Sequence, residues 1–233
     1  MSKNENTLGS RISNAETLII NLRKFVNFKS LRTEDSPDEV ENLIKKLKQT
    51  SLEEADALQQ YTLAVDVRSK HFDKEATSIR KIITSINAYV KSLYDKDSKE
   101  ATTINQKVTE LRTSGIKKNK KNPDEKSIST SQLSYASVTQ NFAELIASLQ
   151  ALSQPYTPPN TIITLEALKN KHKEVESANN NVKTTYSNLS TLRTQKNILS
   201  DDLTNRCQRL KNSVKSQYGN ASAEYAEIKG LKI

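Results

Sequence analysis

Residues 38–94 contain neither glycine nor proline. Over much of that stretch a stripe recurs at alternating steps of four and three: Leu58, Thr62, Val65, Ser69, Phe72, Ala76, Ile79, Ile83, Ile86, Val90 and Leu93. This spacing is a heptad seam, the pattern of a helix that buries one narrow stripe against another helix. Val40, Leu43, Ile44, Leu47 and Ala55 continue an apolar stripe upstream. Ser36 suits the N-cap, Pro37 the first helical position and Glu39 the third residue of a capping box. Unbroken, such a helix runs for roughly 58 residues, or about 87 Å at 1.5 Å per residue.

The second half has the same plan. Thr157-Pro158-Pro159 opens it, and Gly219 stands just past its end as a C′ stop. Its seam reads Val182, Tyr186, Leu189, Arg193, Lys196, Ser200, Leu203, Cys207, Leu210, Val214 and Gln217. Both seams turn polar at a corresponding place. Ser69, with Phe72 beside it, and Arg193 with Lys196 are therefore the expected positions of a helix break or a partner contact. A shorter helix precedes each long one, over residues 11–31 and 131–152. A tail helix follows each, from Asp97 or Ser98 to about Arg112 and from Ser222 onward.

The halves also share sequence. Val90-Lys91-Ser92-Leu93-Tyr94, Ser98, Glu100 and Ile104 recur 124 positions later as Val214-Lys215-Ser216-Gln217-Tyr218, Ser222, Glu224 and Ile228. The same offset relates Leu58 to Val182, Val65 to Leu189, Ile79 to Leu203 and Ile86 to Leu210. With a small slip, Leu18-Ile19 and Leu22 correspond to Leu145-Ile146 and Leu149. Agreement of the whole pattern points to an internal duplication. The expected fold is all-α: an elongated bundle of long coiled-coil-like helices built from two duplicated helical repeats. Residues 1–10 form a flexible tail, 11–114 the first repeat, 115–130 a basic flexible linker and 131–233 the second repeat, with both repeats in one bundle. Composition agrees. Apolar residues make up 34% of the chain, with 4 glycines and 5 prolines in 233 residues. Globular domains average about 45–50% apolar. A many-turned β sandwich or a phosphate-cradling α/β fold is excluded on these counts.

The tail Val214-Lys215-Ser216-Gln217-Tyr218-Gly219, Ser222, Tyr225, Ile228 and Leu231-Lys232 resembles the closing signature of a group of small uncharacterised bacterial helical proteins. Their pattern is VK-x-x-FG-x-x-S-x-x-Y-x-x-I-x-x-LKF. Tyr218 replaces the first Phe, and Ile233 stands where that group has the last. The resemblance covers about 20 residues firmly and the two-repeat layout loosely. It implies a bacterial helical fold and no activity.

No motif names a reaction, and the expected chain is not an enzyme. His71 and His172 stand 101 positions apart and neither has a His or Cys four residues on. Structural zinc takes four nitrogen or sulfur ligands, so no metal or cofactor is expected. Cys207 holds a seam position and reads as a small core hydrophobe. Glu53-Glu54, Asp201-Asp202 and Glu34-Asp35 read as solvated helix faces or caps. The glycines are isolated, which excludes a P-loop.

The formal net charge is +9. Residues 1–115 carry 19 basic and 17 acidic side chains, and residues 127–233 carry 12 and 8. The local peak is the run Lys117, Lys118, Lys120 and Lys121, flanked by Asp124-Glu125 and by no aromatic. The N-terminal ten residues lack an apolar h-region, no run approaches the ~20 apolar residues of a membrane span, and a cytoplasmic setting is expected. The favoured function is a structural or interaction protein that self-associates as a homo-oligomer, or further into filaments or arrays, through its helices. The first alternative is a binder of nucleic acid or an anionic surface through the four lysines. The lesser alternative is a membrane-active helical toxin, although apolar runs are only about three residues long, as at Leu18-Ile19-Ile20.

Overall fold

The computed structural model describes residues 7–112 and 134–233. The expected linker lies outside them, so Lys117, Lys118, Lys120 and Lys121 have no structural account. Every regular element among the described residues is helical. The α-helices are α1 (Leu8–Lys24), α2 (Pro37–Ser69), α3 (Ile79–Leu93), α4 (Lys99–Arg112), α5 (Tyr135–Gln150), α6 (Leu165–Tyr218) and α7 (Ala223–Ile228). Short 3-10 turns at Thr33–Asp35 and Thr161–Ile163 precede α2 and α6, and a π turn at Lys70–Lys74 follows α2.

Local chemistry sets most boundaries. Hydroxyls at N-cap positions accept backbone N–H bonds that a helix start leaves open. Thr7 accepts from Ser10, Ser98 from Ala101, Ser134 from Ser137, Thr164 from Ala167 and Ser222 from Tyr225. Ser36 accepts from Glu39 as expected, but its own N–H donates to the Thr33 carbonyl, so the reciprocal half of the capping box is replaced by the 3-10 turn. Gly219 ends α6 with φ of 99°, a conformation that suits glycine. Three expected ends move. α1 stops at Lys24, because Asn27 takes a left-handed φ of 64° that breaks the run toward Leu31. α6 starts at Leu165, because a 3-10 turn separates Pro158-Pro159 from the Thr164 cap. α7 ends at Ile228, before Gly230.

The chain folds as two compact units, Met1–Gln59 with Ser187–Ile233 and Gln60–Tyr186. In the first unit, Leu18 and Leu22 of α1, Val40 and Leu47 of α2, Leu203, Cys207, Leu210 and Val214 of α6 and Ile228 of α7 share one core. In the second, Phe72, the isoleucines of α3, Ile104 and Val108 of α4, Phe142 and Leu145 of α5 and Leu168 and Val175 of α6 share another. Each unit thus draws helices from both halves of the sequence.

The first long seam breaks at Ser69, one of the positions expected for a break or a partner contact: α2 ends there, and α3 begins after the Ser78 N-cap. One correction falls within α2, whose register between residues 50 and 68 is one residue away from the expected one. Ala57 is 3% exposed and Leu58 44%, and Ala64 is buried beside a half-buried Val65. Tyr61 packs on Tyr186 with ring centroids 5.6 Å apart. Small alanines fill the stripe there, so an apolar count that favours leucine over alanine selects the wrong neighbour. From Ile79 to Val90 the expected seam is the buried face of α3. The second long helix is continuous over 54 residues.

The register predicts opposite responses at adjacent positions. Ala57→Leu should cost about 1–3 kcal/mol by overpacking, and Leu58→Ala less than about 1 kcal/mol. Urea unfolding measures both. The reverse ranking would return the seam to Leu58.

Candidate functional site

The polar seam positions have different fates. Ser69 is the last residue of α2, and the next five residues form the π turn, closed by the Glu75 N–H on the Lys70 carbonyl. The turn swings Phe72 into the core at 2% exposure, edge-on to Tyr135 at 4.8 Å and 81°. Charges outside hold it. Asp66 accepts from Lys70 at 3.0 Å and Lys74 at 2.9 Å, and Arg80 reaches Asp73 at 2.7 Å. The break therefore arises without glycine or proline, from burial of one aromatic ring.

Arg193 and Lys196 cause no break in α6. Their side chains converge on Glu54 of α2, Arg193 at 3.2 Å and Lys196 in close contact. Glu54 is mostly buried, and its carboxyl is held below the usual carboxylate range, chiefly by the Lys196 hydrogen bond, with burial opposing and Arg193 assisting. A polar interruption of one seam is thus matched by an opposite charge on the other. This pairing needs a partner 139 to 142 positions away, so heptad counting within one helix does not reveal it.

Beside the π turn, His71 Nδ1 lies 3.4 Å from Glu174 and 3.4 Å from Lys171, which also binds Glu174 at 2.7 Å. His71 is thus partly covered. Arg68 lies 3.8 Å over the Tyr135 ring, and Asn179 donates to the Tyr135 carbonyl and the Thr139 hydroxyl. Cys207 is buried as expected, and burial pushes its thiol up to about 12, which suppresses thiolate chemistry at neutral pH. Among the described residues, no group of three His, Cys, Asp or Glu side chains is placed to hold a metal ion.

Two clefts occur in the first unit. One, about 230 Å³, is lined by Ser30, Leu31, Arg32 and Ser213 around an Asp35–Arg209 pair bonded at 2.6 and 2.7 Å. The other is lined by Arg11, Gln208, Lys211 and residues 231–233.

The exposed apolar side chains form the remaining candidate surface. On α2, Leu63 is 59% exposed and Val67 43%, four residues apart. At about 100° per residue they stand about 40° from each other and about 110° round the helix from Tyr61, Ala64 and Arg68. Among the described residues, no helix is long and apolar enough to cross a membrane. Comparison with family models, with curated proteins and with solved structures returns no match.

The geometry sets two expectations. Phe72→Ala should cost about 3–5 kcal/mol in urea unfolding, as for other buried aromatics; a cost under about 1 kcal/mol would contradict a break held by that ring. Glu54 has a lowered folded pKa, so its contribution is present above the unfolded value of about 4.3 and is lost as pH falls through the folded one. Glu54→Gln should therefore cost about 1 kcal/mol at neutral pH and progressively less as pH falls below the unfolded carboxylate value. An equal cost across that range would remove the ion pairs from the account.

Proposed function

We propose that this chain is a non-enzymatic structural or interaction protein that self-associates through coiled-coil-like helices, and that it arose by internal duplication. The observation that carries the first part is the exposed pair Leu63 and Val67 on α2. Two large aliphatic side chains in i,i+4 spacing on the flank of a helix offer the start of a second seam. Leu52, also exposed on α2, adds apolar surface of the same kind. Covering a Leu or Val side chain is worth about 1.5–3 kcal/mol, so a symmetric contact that covers several is a source of association energy.

The duplication is supported by matching roles. Buried pairs in the early part of each half stand 127 or 128 apart: Leu18 and Leu145, Leu22 and Leu149, Val40 and Leu168, Leu47 and Val175. Buried pairs in the late part stand 124 apart: Ile79 and Leu203, Ile83 and Cys207, Ile86 and Leu210, Val90 and Val214, Ile104 and Ile228. Ser98 and Ser222, at the same offset, both cap the helix that follows. The Tyr94 hydroxyl accepts from the Gln154 N–H after α5, and the Tyr218 hydroxyl donates to the Val26 carbonyl after α1. On this reading the first half carries about four more residues than the second, roughly one helical turn. That excess falls between Thr50 and Ile79, where the π turn breaks α2 from α3.

Sedimentation velocity over a wide concentration range tests the function. The wild-type chain should grow in mass with concentration. Leu63→Lys with Val67→Lys should remain monomeric, with unfolding free energy changed by no more than about 0.5 kcal/mol per site. A wild-type chain that stays monomeric at tens of micromolar overturns the reading.

A further inference from the structure

The second cleft of the first unit carries an inference independent of self-association. It has a volume of about 490 Å³ and is lined by Arg11 of α1, Gln208 and Lys211 of α6, and Leu231, Lys232 and Ile233 beyond α7. The lining brings three cations together and contains no acidic side chain.

Several basic residues elsewhere in this unit give the contrast. Arg23 is paired with Asp38 and Glu41, Lys48 with Glu16, Arg193 and Lys196 with Glu54, Arg206 with Asp202, and Arg209 with Asp35. Arg11 and Lys211 are held differently. One Arg11 amino group donates to the Ser200 carbonyl and to the Thr204 hydroxyl. Lys211 donates to the Leu231 carbonyl. These partners are neutral, so they aim the cations without cancelling their charge. Burial lowers the Lys211 pKa, the mark of an ammonium stripped of water with no carboxylate to compensate it.

Donor capacity is left over. An ammonium has three donors and a guanidinium five, and the contacts above use few of them. Gln208 and Lys211, three apart on α6, face the same side of that helix. Among the described residues, the Gln208 amide makes only a long bond, 3.5 Å, to Asn212. A fork of guanidinium donors, a point cation and an amide donor match the several acceptor oxygens of a phosphate, whose charge offsets the local excess. The cavity volume is in the range of small-molecule sites.

We propose that this cavity binds a phosphate group, either of a soluble phosphate compound or of a lipid headgroup, through Arg11, Gln208, Lys211 and Lys232. Isotope-labelled full-length protein, titrated with inorganic phosphate and then with glycerol 3-phosphate at constant ionic strength, tests the soluble source by NMR. Co-sedimentation with vesicles of phosphatidylcholine, with and without phosphatidic acid, tests the lipid source. Saturable shifts centred on Arg11, Gln208 and Lys211 are expected in the first arm if the ligand is soluble. Binding that requires phosphatidic acid is expected in the second if it is a headgroup. Lys211→Met and Gln208→Glu should each weaken binding at least about ten-fold, with the thermal unfolding midpoint retained. Gln208→Glu sits on an exposed position and leaves the Arg11 and Lys211 contacts in place, so it separates lost binding from lost folding. No saturable response in either arm, or a response that both variants leave unchanged, overturns the site.

Discussion

The contact on which the rest of the molecule depends joins the end of α6 to the start of the chain. Leu203, Cys207, Leu210 and Val214 are buried with Leu18, Leu22, Val40 and Leu47. In the second unit α3 and α4 are closed by α5 and by Leu168 and Val175 of α6. A chain with 34% apolar residues has narrow stripes rather than a thick core. Each stripe is sealed only when a helix from the other half covers it. The two long helices then carry polar seam positions at low cost, because the same pairing supplies opposite charges, as Glu54 does for Arg193 and Lys196.

The π turn follows from the same logic. Residues 38–94, which hold α2 after Pro37 and all of α3, contain no glycine or proline to stop the first helix. The stop is the gain from placing Phe72 against Tyr135, together with a Ser78 cap for the next helix. The Ser78 hydroxyl is buried without a side-chain bond. The weak helix formers Ser69, His71, Phe72, Asp73, Thr77 and Ser78 leave the stretch 69–78 open to interruption, and packing of Phe72 fixes where it falls.

Much of the fold was legible in the sequence, and the failures have physical causes. The caps at Ser36, Ser98 and Ser222, the stop at Gly219 and the buried face of α3 follow from short-range chemistry that a window of a few residues contains. The register around Ala57 and Ala64 was not legible, because small buried alanines fill the stripe there while the larger Leu58 and Leu63 lie outside it. The partners of Arg193 and Lys196 were not legible either, since they depend on which residue faces them from another helix. The cationic cavity is the extreme case. Arg11, Gln208, Lys211 and Lys232 are scattered over the chain, and no linear motif joins them, whereas the one linear run of lysines, at 117–121, lies outside the described residues.

Each core is closed only by helices from both halves of the sequence, so neither half folds a closed core by itself. The most direct test places a protease site within residues 113–133, cuts the folded chain there and follows the two pieces by size exclusion with mass detection under native conditions. The account predicts that they stay together one to one and separate only as denaturant unfolds them. Two pieces that part under native conditions, each retaining a cooperative thermal transition, would contradict it.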